Sequence, residues 1–236
     1  MTRLSVNINK IATLRNARGG NNPDVIQAAK DIESFGAQGI TVHPRPDERH
    51  ITKQDVYDLK KVVTTEFNIE GYPDERYIQI IEAIKPAQAT LVPDKPDQLT
   101  SNHGWNTVKD ARQLQEIVTR LKKTCRVSVF VDADCDMVKG ARDCGADKVE
   151  LYTQSYAENY LNNREKAIET FVKAAECAKN CGLGLNAGHD LSLENLEYFV
   201  KTIPFVDEVS IGHALICDSL YFGLKNTVSM YLRCLN

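Results

Sequence analysis

The 236-residue chain is 42% hydrophobic and 26% charged, with a formal net charge of −3. It is long enough to bury a sizeable core and ordinary in composition for a globular protein, and no apolar run approaches the roughly 20 residues of a membrane-spanning helix. The small negative charge speaks against nucleic-acid binding by bulk electrostatics, so local basic clusters are read as sites for small anions.

Short β-branched runs alternate with longer amphipathic stretches eight times along the chain. The first strand is expected over residues 4–8. A basic loop with Arg15 and Arg18 follows, then a helix over 24–35 with Asn22 as N-cap, Pro23 at its first position and Gly36 past its end. Strand 39–43 and helix 53–64 come next, then strand 66–70 with helix 74–84, and strand 89–92 with helix 108–123. The second half continues with strand 126–132 and helix 134–144, 148–152 and 164–181, 182–186 and 193–202, and 208–211 and 219–232. Repeated βα units imply a parallel sheet with right-handed crossovers, and eight of them close a TIM (β/α)8 barrel, here as one domain over residues 1–236. A doubly wound open sheet is the alternative. It would usually carry a glycine-rich turn after its first strand, but the chain has neither G-x-G-x-x-G nor G-x-x-x-x-G-K-[ST], so nicotinamide, flavin and P-loop chemistry lose ground.

Arg3 and Asn7 interrupt the opening apolar residues, which argues against a secretory signal. The seven cysteines form no C-x-x-C pair, and reduced thiols in a cytoplasmic protein are the simplest expectation.

In a barrel, reactive groups stand at the C-terminal ends of the strands. Those positions here carry Asn7, His43, Glu70, Asp132, Glu150, Asn186 with His189, and Gly212 with His213. His43 opens a loop, restricted by Pro44 and Pro46, that holds Arg45, Arg49 and His50. Several histidines on one rim resemble an acid/base site, whereas one alone would be more often structural. Glu70 ends an apolar strand, where burial would raise its pKa and suit a general base; the bland alternative is an ion pair with Arg45. Alternation along its strand should send Glu150 into the barrel. Arg15 and Arg18 could clamp a phosphate, or simply be solvated. Ile211-Gly212-His213-Ala214 ends the eighth strand, where barrels often bind phosphate. The long polar loop from Pro93 to Thr107 has the character of a lid.

The segments Ile11-Ala12-Thr13-Leu14-Arg15-Asn16-Ala17-Arg18-Gly19, Thr41-Val42-His43, Asn68-Ile69-Glu70, Asn186-Ala187-Gly188-His189 and Ile211-Gly212-His213-Ala214 together resemble the pyridoxine 5′-phosphate synthase family, over essentially the whole chain. The resemblance implies a TIM barrel with additional short helices in a homo-oligomer, typically an octamer. It also implies condensation of 3-amino-2-oxopropyl phosphate with 1-deoxy-D-xylulose 5-phosphate to pyridoxine 5′-phosphate, phosphate and water. By resemblance His43 and Glu70 are proton acceptors, His189 is the proton donor and Glu150 stabilises the transition state. Asn7, Arg18, Gly212 and His213 would hold the amino-ketone phosphate, and Arg45, His50 and Thr100 the xylulose phosphate. Asn9-Lys10 stands where many members have Asp-His, placing a cation beside the xylulose phosphate. Asp190 stands where many have Gly, placing a carboxylate near the amino-ketone. Such chemistry needs many acid/base groups and neither a metal nor an organic cofactor. The enzymatic rival is a phosphosugar epimerase or metal-dependent aldolase using His43, His50, His189 and His213 as ligands; a non-catalytic sensor of a phosphorylated metabolite is the rival from another class.

Overall fold

In the computed structural model, which describes residues 1–94 and 101–236, the eight apolar runs wrap into a closed parallel barrel. The strands are β1 (Arg3–Asn7), β2 (Gly39–Val42), β3 (Glu66–Gly71), β4 (Gln88–Leu91), β5 (Arg126–Val131), β6 (Lys148–Tyr152), β7 (Gly184–Gly188) and β8 (Glu208–Ile211). Neighbours in sequence are neighbours in space, and β8 closes on β1 with Ser210 opposite Ser5. Around them lie α1 (Asn9–Asn16), α2 (Val25–Ser34), α3 (Lys53–Lys60), α4 (Glu75–Ile84), α5 (Ala111–Leu121), α6 (Cys135–Asp143), α7 (Gln154–Asn180), α8 (Leu196–Thr202), α9 (His213–Phe222) and α10 (Leu224–Cys234).

The side-chain alternation of the strands decides where the core sits. Leu4, Val6, Ile40, Val42, Ile69, Val129, Leu151 and Val209 are buried in one continuous apolar cluster that includes helix residues such as Ile32, Leu59, Ile81 and Phe171. The alternate positions are polar and bond to one another across strands: Ser5 Oγ lies 2.7 Å from Thr41 Oγ1, Thr90 Oγ1 donates to Asn68 Oδ1 at 2.9 Å, and Lys148 Nζ donates to Asn186 Oδ1 at 3.2 Å. The barrel interior is thus a hydrogen-bonded polar plug rather than layers of aliphatic side chains.

Several helix boundaries differ from the sequence expectation. The stretch taken as a loop after β1 is helical over Asn9–Asn16, because Ile11, Ala12 and Arg15 fall on one buried face. The next helix begins at Val25. Asp24, not Asn22, is its N-cap, accepting from the N–H groups of Ile26 and Gln27, and Pro23 precedes the helix after a cis peptide bond. Helix α7 starts ten residues before the expected position and is kinked at Asn163, whose φ of −163° and ψ of 93° are non-helical. The expected terminal helix is two, divided at Gly223, where φ of 76° is left-handed. The cysteines also depart from expectation. Cys135 and Cys177 are joined in a disulfide where the start of α6 packs on α7, while Cys125, Cys144, Cys181, Cys217 and Cys234 are free. The partners lie 42 residues apart, so no local spacing could reveal them.

Candidate active site

The C-terminal ends of the strands open onto one cavity of about 630 Å³. Among the described candidate residues Arg15, Arg18, Asp132 and Asn186 do not line it, Arg18 being exposed on the turn after α1, and the others do; Thr100 lies outside the described residues.

The tips of β1, β2 and β3 are tied together by side-chain amides. Asn7 Oδ1 accepts from the Asn9 N–H at 3.0 Å, and Asn9 Oδ1 accepts from the His43 N–H at 2.9 Å. The first turn of α1 is thereby fixed to the tip of β2, and Lys10 reaches the cavity edge from a helix, not from a loop. Asn7 Nδ2 also donates to Glu70 Oε2 at 3.4 Å. Behind Glu70, the next residue must be small: a Cβ at Gly71 would stand 2.4 Å from the Tyr77 ring. That tyrosine, buried on α4, donates its hydroxyl to the Ile69 carbonyl at 2.8 Å and so holds the strand end that carries Glu70.

Glu70 and Glu150 form no ion pair with any described residue. Burial first, then the charge of Glu150, pushes Glu70 well above the ordinary carboxylate range. Burial first, then Glu208 deeper in the barrel, raises Glu150 as well. Coupled carboxyls in so enclosed a space resist joint ionisation, so the pair retains a proton where an exposed carboxylate would not. Glu150 Oε2 has no hydrogen-bond partner among the described residues. Its other oxygen lies over Gly188, where a Cβ would approach Oε1 to 2.3 Å and force the carboxylate to move.

The imidazoles shift the other way. Burial first, then Arg45 and His50, holds His43 well below its ordinary value. Burial first, then Arg45 and Lys10, brings His50 down to about 4. Both rings are therefore neutral near neutral pH. His50 Nδ1 accepts the Ile51 N–H at 2.9 Å, so its proton sits on Nε2 and points the donor capacity elsewhere. Neutral acids and neutral bases side by side are suited to moving protons.

The basic residues divide by partner. Arg45 pairs with Asp94 at 2.6 Å, both buried, and Ser101 Oγ donates to the same carboxylate oxygen at 2.8 Å. The suggested Arg45–Glu70 ion pair is not formed. Arg15, expected as half of a phosphate clamp, instead binds Asp55 through both terminal nitrogens at 2.6 and 2.8 Å and donates to the His50 carbonyl at 3.2 Å. Its guanidinium joins α1 to α3 and to the His50 loop. Across the mouth, β8 passes through Gly212 directly into α9, whose first N–H groups have no side-chain cap and stand at the cavity edge beside Asn7, as anion binding requires.

Past β7, His189 packs edge-on to Tyr152 at 5.2 Å and Phe130 at 6.4 Å, with Nδ1 2.9 Å from Asp190 Oδ2. Asp94 and Phe130 were missed from sequence. Phe130 could have been found from its place one strand repeat after Ser128, and Asp94 from its position just past the β4 tip. Among the described residues no three His, Cys, Asp or Glu side chains are gathered as a metal ion would need.

The model of the family "Pyridoxal phosphate biosynthesis protein PdxJ" matches residues 4–236. The chain belongs to the PdxJ family. Relatives of this PdxJ chain include the pyridoxine 5′-phosphate synthase of Cytophaga hutchinsonii, 63% identical over 99% of this chain and 98% of that one. Those of Parabacteroides distasonis and Bacteroides thetaiotaomicron are 58% and 59% identical, each alignment covering 100% of both chains. Among solved structures, phosphoribosylanthranilate isomerase from Thermotoga maritima superposes with a TM-score of 0.62 at 11% identity, covering 100% of this chain and 98% of that one, and shares the fold alone.

Proposed function

We propose that this PdxJ-family chain is a single-domain, cytoplasmic and homo-oligomeric pyridoxine 5′-phosphate synthase that condenses 3-amino-2-oxopropyl phosphate with 1-deoxy-D-xylulose 5-phosphate. The observation that carries the reading is the set of shifted groups at one mouth: two carboxyls held above their ordinary range beside two imidazoles held below theirs. Making a pyridine ring from two open chains demands imine formation, repeated proton transfers, loss of phosphate and water, and a carbon–carbon closure. His43 arrives neutral and able to accept a proton. Glu70 arrives protonated, and the ammonium of the amino-ketone supplies the positive charge that lowers its pKa, so that binding of that substrate creates the second base. Glu150, buried beside it, answers positive charge that develops during closure. His189 returns a proton to the leaving oxygen. The α9 N-terminus with Gly212, His213 and Asn7 takes the amino-ketone phosphate, and Arg18, exposed on the turn after α1 and outside the cavity lining, would have to move inward to join them. Arg45, His50, Lys10 and Thr100 take the xylulose phosphate, with Asn9 fixing the His43 backbone.

Incubation of the purified protein with both substrates, followed spectroscopically for the pyridine chromophore and for phosphate release, tests the assignment. Formation of both in equal amounts is expected. Phosphate release without a chromophore, or no consumption of either substrate, overturns it.

A further inference from the structure

We propose that Asp190 is a positioning residue whose carboxylate fixes the tautomer and orientation of His189, rather than a ligand for substrate. The inference rests on the function proposed above for its kinetic arm and on the geometry alone for its spectroscopic arm.

Adjacent residues leaving a strand ordinarily send their side chains to opposite sides. Here His189 and Asp190 both adopt left-handed backbone, with φ of 81° and 59°, a conformation that costs a non-glycine residue free energy and that Asp tolerates better than most. The consecutive turn brings Asp190 Oδ2 to 2.9 Å from His189 Nδ1. This backbone is held from outside. The buried Thr153 hydroxyl donates to the Gly188 carbonyl at 2.8 Å and also to that of His189, and the buried Asn195 amide donates to the Asp190 carbonyl at 3.2 Å. Anchors on two other elements therefore maintain the strain, and its product is the contact between the two side chains.

An ionised carboxylate only accepts hydrogen bonds, so the proton of a neutral His189 must sit on Nδ1 and the lone pair on Nε2. The bond from His189 holds Asp190 below the ordinary carboxylate range and keeps it an acceptor. With Nδ1 engaged and the Tyr152 and Phe130 rings against the imidazole, Nε2 is the nitrogen left to exchange a proton with a ligand in the cavity. Asp190 acts through His189 and touches no reacting atom.

Nitrogen-15 NMR of the histidines, with His189 assigned by its loss in His189→Gln, reads the tautomer without any substrate. Wild type should show neutral His189 protonated on Nδ1. Asp190→Gly, which suits the left-handed backbone, should shift it to a mixture, and Asp190→Asn, which keeps an acceptor oxygen, should restore Nδ1–H. In turnover, Asp190→Gly should lower kcat at least about tenfold with KM for both substrates within about threefold, and Asp190→Asn should recover much of kcat. An unchanged tautomer in Asp190→Gly overturns the proposal, as does a raised KM for the amino-ketone with kcat unchanged. If wild type turns over neither substrate, the functional reading fails while the tautomer result still decides the role of Asp190.

Discussion

The two ends of the barrel treat their charges differently. At the N-terminal end Arg3 bonds Glu66 at 3.1 Å and approaches Glu208 at 3.7 Å, Arg126 bonds Glu66 at 2.5 Å, and Lys148 bonds Asp207 at 2.9 Å. Each cation there has a carboxylate. At the C-terminal end Arg45 is paired with Asp94, but among the described residues Glu70 and Glu150 form no ion pair, and His43 and His50 have cations for neighbours and no carboxylate bonded to their rings. Charges matched at home stabilise a fold; charges left unmatched are available to a ligand that brings the complement.

The sharpest way to break this contrast is at Glu70. Glu70→Gln preserves shape and removes basicity, so it should bind both substrates yet lower kcat by about 10²–10⁴-fold. A folded variant with near-wild-type kcat would remove Glu70 from the essential bases.

Acid should expose the next largest difference. His50 titrates near 4 in the fold against an ordinary 6.5, so the unfolded chain takes up its proton first as pH falls. Stability that is complete above pH 6.5 is then lost progressively down to about 4, by at most about 3 kcal/mol from this residue. His43 contributes in the same direction. The raised carboxyls oppose it, since their stabilisation is greatest at low pH and is lost as pH rises through their folded values. Chemical denaturation of His50→Gln beside wild type, from pH 7 to 4, isolates the histidine; identical acid slopes would show that His50 is not buried neutral.

The opposite end should respond in stability and not in rate. Glu66→Ala strips two partly exposed arginines of their partner and should cost about 1–2 kcal/mol in unfolding free energy while kcat stays within about twofold. A large fall in kcat with unchanged stability would erase the division between the ends.

Lys10 marks the smallest effect. As an exposed ammonium on the first turn of α1, it should act on phosphate from a distance. Lys10→Met should raise KM for the xylulose phosphate, leave kcat within about threefold and blunt the salt dependence of kcat/KM. Borohydride treatment with that substrate alone supplies the counter-test: a reduced adduct on Lys10 would make the residue a covalent catalyst. Exhaustive chelation should change nothing, and activity restored by one particular divalent ion would revive the aldolase reading.

What was legible in the sequence follows from the range of the interactions involved. The eight strands and the inward turn of Glu150 were readable because period-two patterning is local. Helix α1 was missed because eight residues with two buried aliphatics are too few to separate a helix from a loop. Arg15 looked like a free cation because Asp55, its partner, is 40 residues away and itself reads as part of a helix cap. The direction of the pKa shifts at His43 was equally hidden, since it depends on burial and on which cations surround the ring. Asp190 was visible as an unusual carboxylate, but its contact with His189 depends on two left-handed residues that no composition rule announces.

Gly188 joins these levels. A methyl group there would stand 2.3 Å from Glu150 Oε1, the far end of a side chain on the neighbouring strand, so even the smallest side chain at one position would push the carboxylate at the other out of its place. A side chain at residue 188 would displace the carboxylate rather than unfold the barrel, so the glycine guards where the acid stands and not whether the chain folds.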